Sequence, residues 1–182
     1  MKKFLLIAAL LIPFTSVYAQ SENWRDQNGK PLPETPSVKS HDGFGGTVVI
    51  TSDGDWKQKW ETPPGSTPKL TVAQTVEAGR TITLLIFFTN PKLDAAGNAD
   101  VRCEVRLVDP KGKSSVLRKD GVCYDGPIGG PPANVYLSRP TFAFTFNAKD
   151  AADLPGVWSF DVTLRDEGRK VSLPLRASVE LK

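Results

Sequence analysis

An antiparallel β-sandwich is the fold class this sequence predicts, and three observations predict it. The first is the stretch 156–182, where Trp158, Phe160, Val162 and Leu164 alternate with Ser159, Asp161, Thr163 and Arg165. After the break Asp166-Glu167-Gly168, Val171, Leu173, Leu175, Ala177, Val179 and Leu181 alternate in the same way with polar residues and Pro174. A period of two marks a strand buried on one face, so the pair reads as a β-hairpin with one apolar side. The second observation is that shorter strand-like runs recur through the chain with no long helical pattern among them. The third is that an apolar sheet face has to be buried against another layer, which the remaining strands can supply as a second sheet.

The chain has 182 residues and opens Met1-Lys2-Lys3, followed by an apolar run from Phe4 to Phe14 and by Ser16-Val17-Tyr18-Ala19 ahead of Gln20. This is the pattern of a secretory signal peptide, 1–19, cleaved after Ala19. The run is shorter than the roughly 18 apolar residues of a membrane span and contains Pro13, so no membrane insertion is expected after cleavage. Loss of that segment takes two lysines and leaves 163 residues with 21 Lys and Arg against 20 Asp and Glu. A nearly neutral chain without a dense basic patch has no electrostatic footprint for nucleic acid. The expected location is periplasmic or secreted. In such an oxidising compartment Cys103 and Cys123 are expected to form a disulfide. They are too far apart for a tight redox motif and lack further ligands for zinc.

Residues 20–46 are polar and broken by Pro31, Pro33, Pro36, Gly43, Gly45 and Gly46, and read as an extended Pro/Gly-rich leader. The domain is expected over 47–182. Thr47 opens the first strand. Ser52-Asp53-Gly54-Asp55 then offers capping side chains before Trp56-Lys57-Gln58-Lys59-Trp60, one helical turn that places Trp56 and Trp60 on the same side before Pro63-Pro64 ends it. A short strand is expected over 69–75. The run 81–89 is the most hydrophobic strand: Ile82, Leu84, Ile86 and Phe88 can face the core, while Leu85 and Phe87 then point outward and need a cover. The Trp56/Trp60 turn is the expected cover.

Val101, Cys103, Val105 and Leu107 form the next alternating strand, and Asp109-Pro110-Lys111-Gly112 turns it back. With the loop tip at Pro110 and Lys111, Cys103 falls opposite Arg118, and Cys123 overshoots by five residues. The returning strand must therefore bend near Asp120-Gly121 for the bridge to close. Residues 124–140 are rich in Gly and Pro and form the longest irregular stretch expected inside the domain. Phe142, Phe144 and Phe146 then give a strand with an aromatic face. The total is about seven strands with one short helical turn, an all-β, immunoglobulin-like antiparallel β-sandwich. Pro174 lacks a ladder donor, which places the last strand at a sheet edge.

Several segments together resemble a family of small exported bacterial proteins with an immunoglobulin-like fold. They are Gly45-Gly46-Thr47-Val48-Val49-Ile50, the Asp55-Trp56 to Trp60 stretch, Asp94-Ala95-Ala96-Gly97-Asn98-Ala99-Asp100-Val101, Pro110-Lys111-Gly112 and Leu154-Pro155-Gly156-Val157-Trp158. The resemblance implies fold and export, and it brings no catalytic or binding residues to this chain.

The residues point away from catalysis. His41 is the only histidine and lies in the leader, so neither an acyl-transfer triad nor a common zinc site can be assembled around a histidine pair. No metal and no cofactor is expected. Asp94, Asn98 and Asp100 offer oxygens, yet their loop lacks the alternating ligands and distal glutamate of an EF-hand and reads as a turn. The expected function is a non-catalytic binding module of the bacterial envelope, meeting a protein partner. It would do so through the loop bearing Tyr124, Tyr136 and Arg139 or through the Trp56/Trp60 face. Two other readings are a carbohydrate-binding module stacking sugars on exposed tryptophans, and an envelope hydrolase acting through carboxylates.

Overall fold

The computed structural model describes residues 20–25, 28–62, 68–147 and 149–182. The expected signal peptide, its cleavage site and the Pro63-Pro64 stop lie outside them. In chain order the elements are β1 (Gln20–Arg25), β2 (Pro31–Pro33), β3 (Val38–His41), β4 (Phe44–Thr51), α1 (Trp56–Trp60), β5 (Thr75–Val76) and β6 (Thr81–Thr89). They continue with β7 (Asn98–Val108), β8 (Ser114–Pro127), β9 (Val135–Leu137), β10 (Phe142–Thr145), β11 (Gly156–Asp166) and β12 (Val171–Leu181).

Two sheets face each other. The first has the order β10-β6-β4-β3, and β9 also pairs with β6, beyond β10. The second has the order β5-β12-β11-β7-β8, antiparallel except that the short β5 runs parallel to β12. The expected β-sandwich is present, but among the described residues its two sheets hold ten strands rather than about seven, and β1 and β2 form a separate pair. The hairpin β11–β12 pairs without a break from Gly156 opposite Leu181 to Asp166 opposite Val171. Its apolar face meets Phe44, Val48, Ile50, Leu84, Ile86 and Phe88 of the first sheet in one core cluster.

Gly46 explains how closely the layers approach. It sits in β4 between the buried Phe44 and Val48, and a Cβ there would lie 2.9 Å from Leu164 Cδ2, 3.0 Å from Leu175 Cδ1 and 3.1 Å from Leu173 Cδ1. The glycine is needed for the space it leaves, and the leucine methyls fill that space.

One end of the sandwich is closed by a buried carboxylate. Asp166, at the end of β11, is fully buried and accepts hydrogen bonds from the backbone N–H of Lys92 (2.8 Å), Gly168 (3.0 Å) and Arg169 (3.2 Å). The Arg169 guanidinium approaches the same carboxylate at 3.4 Å and donates to the Asn90 carbonyl at 3.3 Å. Asn90 in turn donates to the Gly43 carbonyl at 2.7 Å. The β11–β12 turn, the exit of β6 and the entry to β4 are thus tied through one anion.

Cys103 and Cys123 are bridged, with Cα atoms 5.7 Å apart. The bridge links neighbouring strands β7 and β8 rather than the two sheets. Cys103 pairs with Gly121, not Arg118, because the ladder starts one residue later on β8 than expected, at Val108 opposite Ser114, and β8 takes up an extra residue at each of two irregularities between the turn and Cys103. The expected bend is present at Asp120, whose φ is +40°. The Arg118 side chain folds over Gly121 and donates to the Val122 carbonyl at 2.7 Å.

Three boundaries differ from expectation. Residues 20–46, read as a leader, contain β1, β2, β3 and the start of β4. Backbone pairing alone makes β3 a strand, since its short polar run has no period to read. The stretch 69–75 is a strand only at its end. Val72 makes an isolated bridge to Thr51, and β5 begins at Thr75. The irregular stretch expected over 124–140 is shortened from both sides, by β8 running on to Pro127 and by β9. The last strand is not the sheet edge that Pro174 suggested, because β5 lies outside β12 and pairs with it at Glu180 and Leu181. Beyond Pro174, Arg176 N donates to Pro36 O (2.7 Å), Glu180 N to Gln74 O (2.9 Å) and Lys182 N to Val76 O (3.0 Å).

Two substitutions test this frame. Gly46→Val should lower stability by about 1–3 kcal/mol through overpacking, read as a reduced urea midpoint at unchanged m-value. Asp166→Ala removes the acceptor of three part-buried backbone amides and the partner of an arginine, and should cost about 3 kcal/mol by the same measurement.

Candidate functional site

Both faces of β6 are buried. Ile82, Leu84, Ile86 and Phe88 enter the core, while Leu85 and Phe87 project to the other side and are 0% and 5% exposed. Part of their cover is α1. The Trp60 ring lies 5.0 Å from the Phe87 ring, tilted by 45°. Trp56 and Trp60 are each half-buried, so the turn covers the sheet without sinking either ring. Asp55 stands at the N-cap position without a side-chain capping bond.

Beside this contact a shallow apolar groove of about 720 Å³ runs over the outer face of the first sheet. Its floor is Thr47, Val49 and Phe87, and Trp60 rises on one side. Pro68, Leu70 and Val72 supply another side, and Trp24 and Val135 complete the lining with Arg25. Val72 and Val135 are 61% and 42% exposed, unusual for valines next to two tryptophans. Trp24 comes from β1 and donates its indole N–H to the Lys39 carbonyl at 3.3 Å. Sequence reasoning missed it because it falls in the supposed leader. A lone tryptophan in a polar stretch was the available signal.

The groove is held by polar contacts at its end. Asp53 Oδ2 accepts from the Thr71 backbone N–H at 2.8 Å and lies 2.9 Å from Lys59 Nζ, which also reaches Asp55 Oδ1 at 3.1 Å. The Thr71 bond first, and Lys59 second, hold the Asp53 carboxyl below its ordinary 3.8, at about 2, and both Asp53 and Asp55 favour the charged Lys59.

The loop candidates sit differently. Tyr124 lies in β8 and Tyr136 in β9, and both rings pack on Phe88 of the core, at 5.3 and 5.6 Å. Their hydroxyls donate to the carbonyls of Pro127 (2.8 Å) and Pro131 (2.7 Å), and burial pushes the Tyr136 phenol up. These side chains fasten the Gly/Pro segment to the domain. Arg139 is exposed, and its backbone N–H donates to the Cys123 carbonyl at 2.7 Å. His41 is exposed at the end of β3, 3.6 Å from Asp42. Asp94 accepts from the backbone N–H groups of Ala96 and Asn98, each at 2.8 Å, an Asx turn whose bonds hold its carboxyl below the usual range. Among the described residues no three His, Cys, Asp or Glu side chains group closely enough to hold a metal ion.

Because the folded pKa of Asp53 is depressed, its bonds contribute stability above its ordinary value, and that contribution is lost as pH falls through about 2. The Thr71 amide proton should therefore shift with a midpoint near pH 2 in an NMR titration, and Asp53→Asn should remove that titration.

No family model matches the chain, and no curated protein matches it. Among solved structures it is similar to the CARDB domain of a Pyrococcus furiosus protein, at 14% identity and a TM-score of 0.39, over 82% of this chain and 97% of that one. It is also similar to the putative ApaA protein of Bordetella pertussis, at 11% identity and a TM-score of 0.40, over 76% and 93%. A family 123 glycoside hydrolase from Clostridium perfringens is similar at 8% identity and a TM-score of 0.39, over 75% of this chain and 27% of that one. Likenesses at these scores transfer no activity, metal or partner to this chain.

Proposed function

We propose that this chain is a non-catalytic binding module working outside the cytoplasm, which takes an extended apolar segment of a protein partner into the groove between Trp24, Trp60 and Val72. The observation that carries the reading is the groove's lining. Two tryptophans, a phenylalanine, three valines, a leucine and a proline supply it, with Thr47 and Arg25 as the only polar side chains among the described residues. An apolar segment entering such a groove loses water without leaving buried polar groups unpaired. Sugar-binding sites need hydrogen-bonding acids and amides beside the stacking ring, and among the described residues no Asp, Glu, Asn or Gln lines this groove. That contrast favours a protein segment over a glycan. Tyr124 and Tyr136 support the module by anchoring the neighbouring loop, and Arg139 stands as an exposed contact at its edge. The non-catalytic reading rests on His41 standing outside the groove. Placement outside the cytoplasm is supported by the Cys103–Cys123 bridge.

The test is selection of extended peptides from a display library on the purified protein, followed by fluorescence titration. Val72→Glu and Val135→Glu change exposed positions and leave the core intact. Each should weaken the selected peptides at least about tenfold, as expected when a charge enters an apolar contact. Soluble oligosaccharides that bind more tightly than any peptide, with affinity lost in Trp60→Ala, would move the assignment to a carbohydrate module. Turnover of a generic ester, glycoside or phosphate substrate would end the non-catalytic reading.

A further inference from the structure

We infer that Asp53 is the positioning residue of the groove, one carboxylate that clamps two of its walls together. The inference rests on the reading of that groove as the binding site. One wall is the segment carrying Pro68, Leu70 and Val72, and another is α1 carrying Trp60. Pro68, Leu70, Val72 and Trp60 stand outside the core cluster, which the segment enters only at Ala73. Segment 68–73 meets the first sheet through the Ala73 N–H to Ile50 carbonyl bond (2.8 Å) and the bridge between Val72 and Thr51. Among the described residues it is also anchored by the burial of Ala73 and, toward its middle, by Thr71 N–H to Asp53 Oδ2 at 2.8 Å. The helical turn reaches the same oxygen through Lys59 Nζ at 2.9 Å.

Asp53 is itself fixed. Its backbone N–H donates to Thr51 Oγ1 at 3.1 Å, its carbonyl accepts from Trp56 N–H at 3.3 Å, and its side chain is 11% exposed. The clamp therefore hangs from the end of β4, whose other residues form the groove floor. A charged acceptor makes stronger bonds than a neutral one, and here a single oxygen serves a backbone amide of one wall and an ammonium of the other. Loss of the carboxylate releases both walls at once, while loss of Lys59 releases only α1. A groove built this way has a local opening equilibrium separate from global unfolding.

Amide hydrogen exchange by NMR on the protein spanning residues 20–182 tests the clamp, with the dye 8-anilinonaphthalene-1-sulfonate as the groove probe. Asp53→Ala should speed exchange of Thr71 and Val72 by about tenfold or more and move the Trp60 indole N–H signal, with β11 and β12 amides unchanged. Lys59→Met should move the Trp60 signal and leave Thr71 protected. Asp53→Asn, which keeps an acceptor for Thr71 N–H, should restore most of the Thr71 protection. Dye affinity should fall in Asp53→Ala and in Val72→Glu. Unchanged Thr71 exchange in Asp53→Ala overturns the clamp. Faster exchange throughout β11 and β12 overturns it as well, by making Asp53 a residue of global stability. Loosened walls with dye affinity unchanged in both variants would leave the clamp standing and sink the groove as a binding site.

Discussion

The structure depends on one strand being buried on both sides. Every residue of β6 from 82 to 89 is buried, although the strand belongs to an antiparallel sheet, where one face is commonly left to water. Inside, the alternate residues pack on the hairpin β11–β12. Outside, Leu85 and Phe87 require a layer that the sandwich itself cannot provide. The segments flanking β4 supply it, with Trp60 on Phe87 and with β1 and segment 68–72 at the sides of the groove. That cover is incomplete, and the gap in it is the groove. The binding site proposed for this protein is thus a by-product of the most hydrophobic strand in the chain.

Frame and cover are held by different means. The frame has the unbroken β11–β12 ladder, a disulfide across β7 and β8, and an end closed by Asp166, whose carboxylate satisfies amides from two separate segments. Gly46 lets the layers approach until leucine side chains occupy the place of its missing Cβ. The cover has few backbone bonds and depends on Asp53, Lys59 and one aromatic contact. Proteins draw their binding surfaces from such low-stability regions, because adjustment there does not disturb the core.

Much of the frame was legible in the order of residues. Period-two alternation marked β7, β11 and β12, and Ile82, Leu84, Ile86 and Phe88 were assigned to the inner face that they occupy. The bend near Asp120 followed from counting residues between the cysteines and the turn. β3, a strand without a period, was missed: it is four polar or mixed residues and exists because β4 offers its backbone. β8 was expected as the strand returning from the Asp109 turn, and only its bulges and its run to Pro127 were not legible in its largely exposed pattern. Tyr124 and Tyr136 carried the composition of a recognition loop, yet their hydroxyls and rings are turned to the domain's own carbonyls and to Phe88.

The sequence by itself determined the fold class, the disulfide, and the fact that Leu85 and Phe87 would need a cover. These follow from local periodicity and from residue counts, which act within a strand or a turn. Only the tertiary structure decided what the cover is, and that Trp24 shares a groove with Trp60 across 36 positions of chain. The same holds for Asp53, which bonds Thr71 at a separation of 18 residues, and for Asp166, which reaches back 74 to Lys92. Such contacts join residues with no common period. They become defined only when the sandwich has closed and fixed the distance between segments that the chain keeps apart.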